Sequence, residues 1–330
     1  MPSTSRRAAA ARLLSAIAAA AIPLLAAPAA HAEYPDKPVV VINPWTPGGP
    51  ADAVARPILQ ALSERLKQNF VLDNKAGANG VIGAAFVARA APDGYTLLFS
   101  HVGPITISPA VQKDMPYDSV KAFEPITQVV SAPTVLVVRP DLPIHDLKEF
   151  VAYAAANPGK MSYGSVGPGS TTHLGGEMLA NMAKVKLLHV PYKGAAPVVN
   201  DLLGKQIDFA FLNIAAVVPH IKAGTLRGIA VSTTKRSPLL PDLPAIAETY
   251  PGFEVNSWYG LMAPAGTPKV IVDLLQKNVA EALKTPAIAA TMEKMGLTTE
   301  GTTPAEYAAQ VKRDLERWKT IVEVTGLQKQ

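Results

Sequence analysis

Along nearly the whole chain after residue 33, short runs of β-branched residues alternate with segments whose apolar residues recur at helical spacing. Such alternation predicts right-handed β-α-β crossovers and mostly parallel sheets flanked by helices, an α/β class of fold. Strands are expected at Val39–Asn43, Phe70–Asn74, 95–100, 133–139, 160–165, 187–190, 207–212, 226–232 and 256–263. Helical patterns fall between them, with two more near the end at 270–284 and 304–324. Four prolines and a glycine between 238 and 252 break the repeat. The pattern then implies two crossings, near Ala132 and Gly252: a first lobe of residues 33–132 and 252–330, and a second lobe of 133–251 inserted into it. Two lobes with a cleft at the crossings are the architecture of an extracytoplasmic solute receptor that closes on its ligand by hinge motion.

Two stretches share one build of strand, glycine turn and helix start. The first is MSYGSVGPGSTTHL, residues 161–174, which offers Ser165, Gly167, Ser170, Thr171, Thr172 and His173; the second is PWTPGGPAD, residues 44–52, with Trp45, Thr46, Pro47, Gly48, Gly49 and Asp52. Glycine lets the backbone approach a ligand closely, and the first amides of a helix have no intrahelical partner. Those donors and the positive end of the helix dipole point the same way, so such a terminus attracts an anion. Two such loops facing each other would clamp a carboxylate. Ser100, His101 and Val102 lie just beyond a strand end, where a parallel sheet collects its ligand loops on one edge. Asp52 can orient its loop as a capping acceptor or touch the ligand directly, and Trp45 can stack on a planar acid.

The first 32 residues read as an export signal: Arg6, Arg7 and Arg12, then the apolar run 13–25, then Ala30-His31-Ala32 as a small-x-small cleavage site. The run falls short of the ~20 residues that span a bilayer, and alanines after the arginine pair favour general secretion over the twin-arginine route. Without those three arginines the formal charge falls from +5 to +2, so the mature chain carries no electrostatic footprint for nucleic acid. The sequence has no cysteine, which excludes disulfides, thiolate catalysis and a lipid-modified N-terminus, and leaves a soluble periplasmic protein as the expectation. Its histidines show no metal-ligand spacing, and neither a metal nor a cofactor is expected.

The motifs YPDKPVVVINPWTPGGPAD, AGANGVIGA, APDGYTLL, YGSVGPGSTTHLGGE, HVPYKGAAPVVNDLLGKQIDFAF, AGTLRGIAVST, LPDLPAIAE and GLMAPAGTPKVIV occur in order along the mature chain. In these the chain resembles the substrate-binding proteins of the tripartite tricarboxylate transporters, the Bug family of periplasmic receptors. The resemblance implies a two-lobed Venus-flytrap fold that holds a small carboxylate, a di- or tricarboxylate or an aromatic acid. Backbone groups and ordered waters of the 44–52 loop would hold it, with help from 100–102. The 165–173 loop, Tyr192 and Asn213 would meet its far end. It also implies delivery of the ligand to membrane permease subunits; a monomer is expected, and the alternative is a receptor whose loaded form docks on a sensor kinase. Trp258 is expected in core or hinge packing, and Lys193 as a solvated cation.

A hydrolase is the competing class. Ser170 and His173 stand three apart at a helix start with no third residue to orient the base, and the G-x-S-x-G elbow is absent because Thr171 and Thr172 follow Ser170. A bulky residue at Gly48 or Gly167 is expected to intrude on its loop and weaken binding.

Overall fold

The computed structural model describes residues 34–192 and 194–325. The expected export signal and Lys193 lie outside the described residues. Among the described residues, ten strands form one mixed sheet: β1 Val39–Asn43, β2 Phe70–Asn74, β3 Thr96–His101, β4 Phe123–Val138, β5 Ser162–Ser165, β6 Leu188–Pro191, β7 Phe209–Asn213, β8 Arg227–Val231, β9 Asn256–Pro264 and β10 Thr298–Thr299. Their order is β2-β1-β3-β9-β4-β7-β5-β6, with β8 and β10 also paired to β4.

The outer strands pair in parallel, as the β-α-β repeat requires: β1 with β2 and β3, and β5 with β6 and β7. The central strands β4 and β9 run antiparallel to their neighbours, so the sheet is mixed at its middle. β4 is the organising element. Residues Phe123–Pro133 pair with β9, and from Thr134 onward the same strand pairs with β7 and β8. Its first half was not expected as strand, because Pro125 reads as a breaker. The structure accommodates Pro125 beside a register shift against β9, where a missing N–H breaks no ladder.

Alternate residues of the central strands feed opposite faces. Leu136, Val138, Phe209 and Phe211 enter one core cluster, while Val135, Val137, Ala210 and Leu212 enter another. A strand buried on both sides has no polar face, which is why these stretches read as continuous apolar runs. The helix Pro304–Thr325 closes one side of the sheet. Its Tyr307, Val311, Trp318 and Ile321 are buried, and each such side chain contributes on the order of 2 kcal/mol. The same helix anchors Trp258, whose Nε1 donates to the buried Asp314 at 2.7 Å and whose ring meets Tyr307 edge-on at 5.4 Å. Trp258 is therefore core packing.

The strand paths change partners at a buried hydroxyl cluster. Thr134 Oγ1 lies 2.8 Å from Ser232 Oγ, and Ser232 Oγ donates to the Val255 carbonyl at 2.6 Å. Backbone bonds from Ser232 to Thr134 and from Val255 to Ser232 tie the same three segments together. No helix among the described residues is long and apolar enough to cross a membrane.

Candidate functional site

A cavity of about 320 Å³ opens where three loops converge. Trp45 comes from the turn after β1, His101 and Gly103 from the end of β3 with Ile107 just beyond, and Val166, Pro168, Ser170 and Thr171 from the turn after β5; Asn79 completes the wall. Four residues expected at the site, Trp45, His101, Ser170 and Thr171, thus meet on one surface.

The β1 turn is held from behind. Asp52 follows Pro50 at the start of the helix Pro50–Leu66 and is 3% exposed. Its Oδ1 accepts from Asn43 Nδ2 at 2.6 Å and Asn74 Nδ2 at 2.9 Å; its Oδ2 accepts from the Gly48 amide at 3.2 Å and from Arg56 at 2.8 Å. Burial alone would raise this carboxyl, but the donors from Asn74, Arg56, Gly48 and Asn43 outweigh it and hold the pKa at about 2. With both oxygens engaged, Asp52 shapes the loop and stands away from the cavity wall. Thr46, Pro47 and Gly48 are exposed on the turn, and Gly49 caps the helix without lining the cavity.

His101 accepts from the Gly103 amide at Nδ1, 3.1 Å, so its proton sits on Nε2, which donates to Ser257 Oγ at 2.7 Å. Removal from water pushes its pKa down to about 3, and the ring is neutral at physiological pH. Trp45 meets it edge-on at 5.2 Å. Ser100 and Val102 do not reach the cavity: both are fully buried, and Ser100 Oγ shares a 2.7 Å hydrogen bond with Tyr307. Neighbouring residues on a strand face opposite ways, so His101 and Ser100 cannot both line one wall.

Ser170 caps the helix Thr171–Ala183, accepting from the His173 amide at 3.2 Å and donating to the Gly167 carbonyl at 2.6 Å. No nucleophile-base pair forms with His173, whose Nδ1 instead accepts from the Gly169 amide at 3.2 Å. Thr172 Oγ1 accepts from the Val166 amide at 2.9 Å, and Ser165 is fully buried, so these residues, with Gly167 and His173, build the turn from behind. Tyr192 donates to Asp201 at 2.6 Å and Asn213 accepts from the Ala215 amide at 3.1 Å; neither lines the cavity.

Sequence reasoning missed Asn79 and Ile107, and did not single out Gly103 after 100–102 or Val166 and Pro168 within the 165–173 loop. Asn79 lies in a run of four residues with positive φ, Gly77 to Gly80 (134°, 46°, 53° and 87°). The turn is wedged between the other loops: a Cβ on Gly80 would stand 3.1 Å from Pro104 Cγ and 3.2 Å from Pro44 Cβ. Asn79 Nδ2 donates to Ser108 at 3.3 Å. The glycines of AGANG were a visible turn signal, but the left-handed Ala78 and Asn79 between them were not.

The wall carries no ionised side chain, since His101 is neutral. Its polar capacity lies in hydroxyls, a carboxamide and the amide end of the Thr171–Ala183 helix, a set that receives an anion through dipoles. Among the described residues no group of three or more His, Asp or Glu could hold a metal ion.

Comparison with known proteins identifies the family. Residues 54–327 match the profile of the tripartite tricarboxylate transporter family receptors, TctC. The structure of the periplasmic binding protein BugD is 39% identical, with a TM-score of 0.77 over 90% of this chain and 100% of that one. A Rhodopseudomonas palustris protein solved with adipate is 35% identical, with a TM-score of 0.80 over 89% and 99% of the two chains. MatC from the same organism, solved with bound malate, is 32% identical, with a TM-score of 0.76 over 88% and 100%. The chain belongs to the TctC family of tripartite tricarboxylate transporter receptors.

Proposed function

We propose that this receptor captures a small dicarboxylate in the 320 Å³ cavity and hands it to the membrane subunits of a tripartite transporter. The observation that carries the reading is a cavity without ionised side chains, lined by hydroxyls and backbone at the capped N-terminus of the Thr171–Ala183 helix. Such a wall attracts negative charge without committing a buried arginine, and waters complete the bonds at small entropic cost. The volume lies at the small end of ligand pockets. Adipate and malate in two relatives belong to the same chemical class. The binding residues are then Trp45, Asn79, His101, Ser170 and Thr171, with the other loop residues positioning them. The lobes are 33–132 with 252–330, and 133–251, and they close about the Thr134–Ser232 contact. The exported protein works in the periplasm.

Titration calorimetry with adipate and malate, beside their dimethyl esters, tests this. Saturable binding of a diacid that is lost on esterification is the expected result. Equal affinity for acid and ester overturns it.

A further inference from the structure

The turn Ser165–Ser170 contains Gly167 at φ +124° and Gly169 at φ +68°. Both glycines donate their amides away from the cavity. Gly167 donates to Ser165 Oγ at 3.1 Å, and Gly169 donates to His173 Nδ1 at 3.2 Å. Ser165 Oγ in turn lies 2.7 Å from Nε2 of His189, a residue of β6 paired in register with Tyr163 of β5. The imidazoles of His173 and His189 stack at 4.0 Å with a 23° interplanar angle. Two stacked rings, one from the helix and one from the neighbouring strand, thus fix the two flexible residues of the turn.

We propose that His189 and His173 are positioning residues of the ligand loop: a stacked imidazole latch that holds the Ser165–Gly169 turn in place while both rings are neutral and releases it when either is protonated. That the turn meets a ligand rests on the proposed function; the latch itself does not. His173 receives the Gly169 N–H on Nδ1, so this nitrogen carries no proton and Nε2 does. A second proton would set donor against donor at Gly169 and place a cation 4.0 Å from the His189 ring. The titratable groups facing the pair are Tyr163, 5.0 Å from His189, and Glu177, 3.8 Å from His173 Nε2. Tyr163 donates to Glu177 at 2.6 Å, and the Glu177 charge favours a protonated His189 but is outweighed by the burial of the pair. Burial lowers both histidines, to about 4, so the neutral latch gives way as the pH falls below the ordinary histidine range.

The test uses the mature protein, its His189→Gln variant, which retains hydrogen-bonding capacity without titrating, and His189→Ala. The Gly167 and Gly169 amide resonances of ligand-free protein are followed from about pH 7 to about pH 4. They are expected to shift together with the histidine ring protons in wild type; in His189→Gln the Gly167 amide, tied to His189 through Ser165, should stay nearly fixed, while the Gly169 amide still follows His173. Glycine amides that ignore the ring titration overturn the latch whether or not any acid binds.

Adipate and malate affinities are measured in parallel, and the ratio of wild type to variant at each pH cancels the ligand's own ionisation. His189→Ala should bind about five- to tenfold more weakly at neutral pH, as for one lost hydrogen bond, with rescue by His189→Gln. An unchanged affinity in His189→Ala, or a Gly167 amide in His189→Gln that titrates as it does in wild type, refutes the positioning role. Failure of every carboxylate to bind wild type, with the amide shifts intact, refutes the proposed function instead.

Discussion

Replacing Asp52 by asparagine tests how the β1 turn is held. The side chains are nearly isosteric, so the change is one of charge and hydrogen-bond direction. Asp52 accepts two bonds on each oxygen, from Asn43 and Asn74 on Oδ1 and from Gly48 and Arg56 on Oδ2. A carboxamide has one oxygen, so one of these pairs of donors must face an NH2 group. Arg56, 60% exposed, can turn to water; the Asn43 amide, in a fully buried residue, cannot.

The charged form is worth about 2 kcal/mol, from a pKa lowered from 3.8 to about 2. Because the folded value lies below the unfolded one, this stabilisation is fully present above the unfolded pKa and fades as the pH falls through the folded one. At about pH 3 roughly 1 kcal/mol of it is already gone. Asp52→Asn should therefore lower unfolding stability by about 2–4 kcal/mol at neutral pH, counting the stranded donors, and by about 1 kcal/mol less at pH 3. Urea unfolding followed by tryptophan fluorescence at both pH values measures the difference. A neutral-pH loss under about 0.5 kcal/mol, or the same loss at both pH values, would falsify the account of the turn.

Asn79→Ala should weaken acid binding and cost stability, because alanine tolerates φ of +53° less well than asparagine; Asn79→Gly should restore stability without restoring affinity, which calorimetry and thermal melts separate. Gly48→Val should lose about 1–2 kcal/mol through its φ of +79°, a figure that urea unfolding checks; no atom lies within 4 Å of its added Cβ, so the expected intrusion on the loop is replaced by backbone strain. Gly176→Ala should drive the Tyr163 ring off its seat under the His173–His189 stack, since its Cβ would meet Tyr163 Cζ at 2.6 Å; loss of Tyr163 near-ultraviolet dichroism with weaker ligand binding is the readout.

The strand and helix series was legible because each element has its own period, and Val39–Asn43, Phe70–Asn74, Leu147–Ala156 and Ile214–Lys222 fall where the pattern puts them. The first half of β4 was hidden by Pro125, whose tolerance depends on a register shift supplied by β9 more than a hundred residues away. The helix Pro286–Lys294 and β10 were also unforeseen: a nine-residue helix beginning at proline looks like a turn, and a two-residue strand has no period. At the site, glycine loops announced themselves and Trp45, His101, Ser170 and Thr171 do meet. A loop motif does not say which of its residues face inward. Ser100 faces the other side of the strand that ends at His101, and Val102 begins the helical segment after it, fully buried; Thr172 stands one helical step from Thr171 and turns back to Val166. His189 carried no local signal at all, since it acts across a strand pair on a turn some twenty residues away.

The two sides of the cavity are stiffened by different chemistry, and this bears on selectivity. The β1 turn hangs on a carboxylate that stays ionised down to about pH 2, so its geometry is constant across the physiological range. The β5 turn hangs on neutral imidazoles, whose grip depends on remaining uncharged. Between them the wall offers dipoles and hydroxyls but no fixed charge to specify where an anionic group must sit. On the proposed reading, what distinguishes one diacid from another is then the distance between the two turns in the closed state. On that reading the approach is limited where the β5 turn meets the segment after β3, since a Cβ on Gly169 would stand 3.2 Å from Val111 Cγ2.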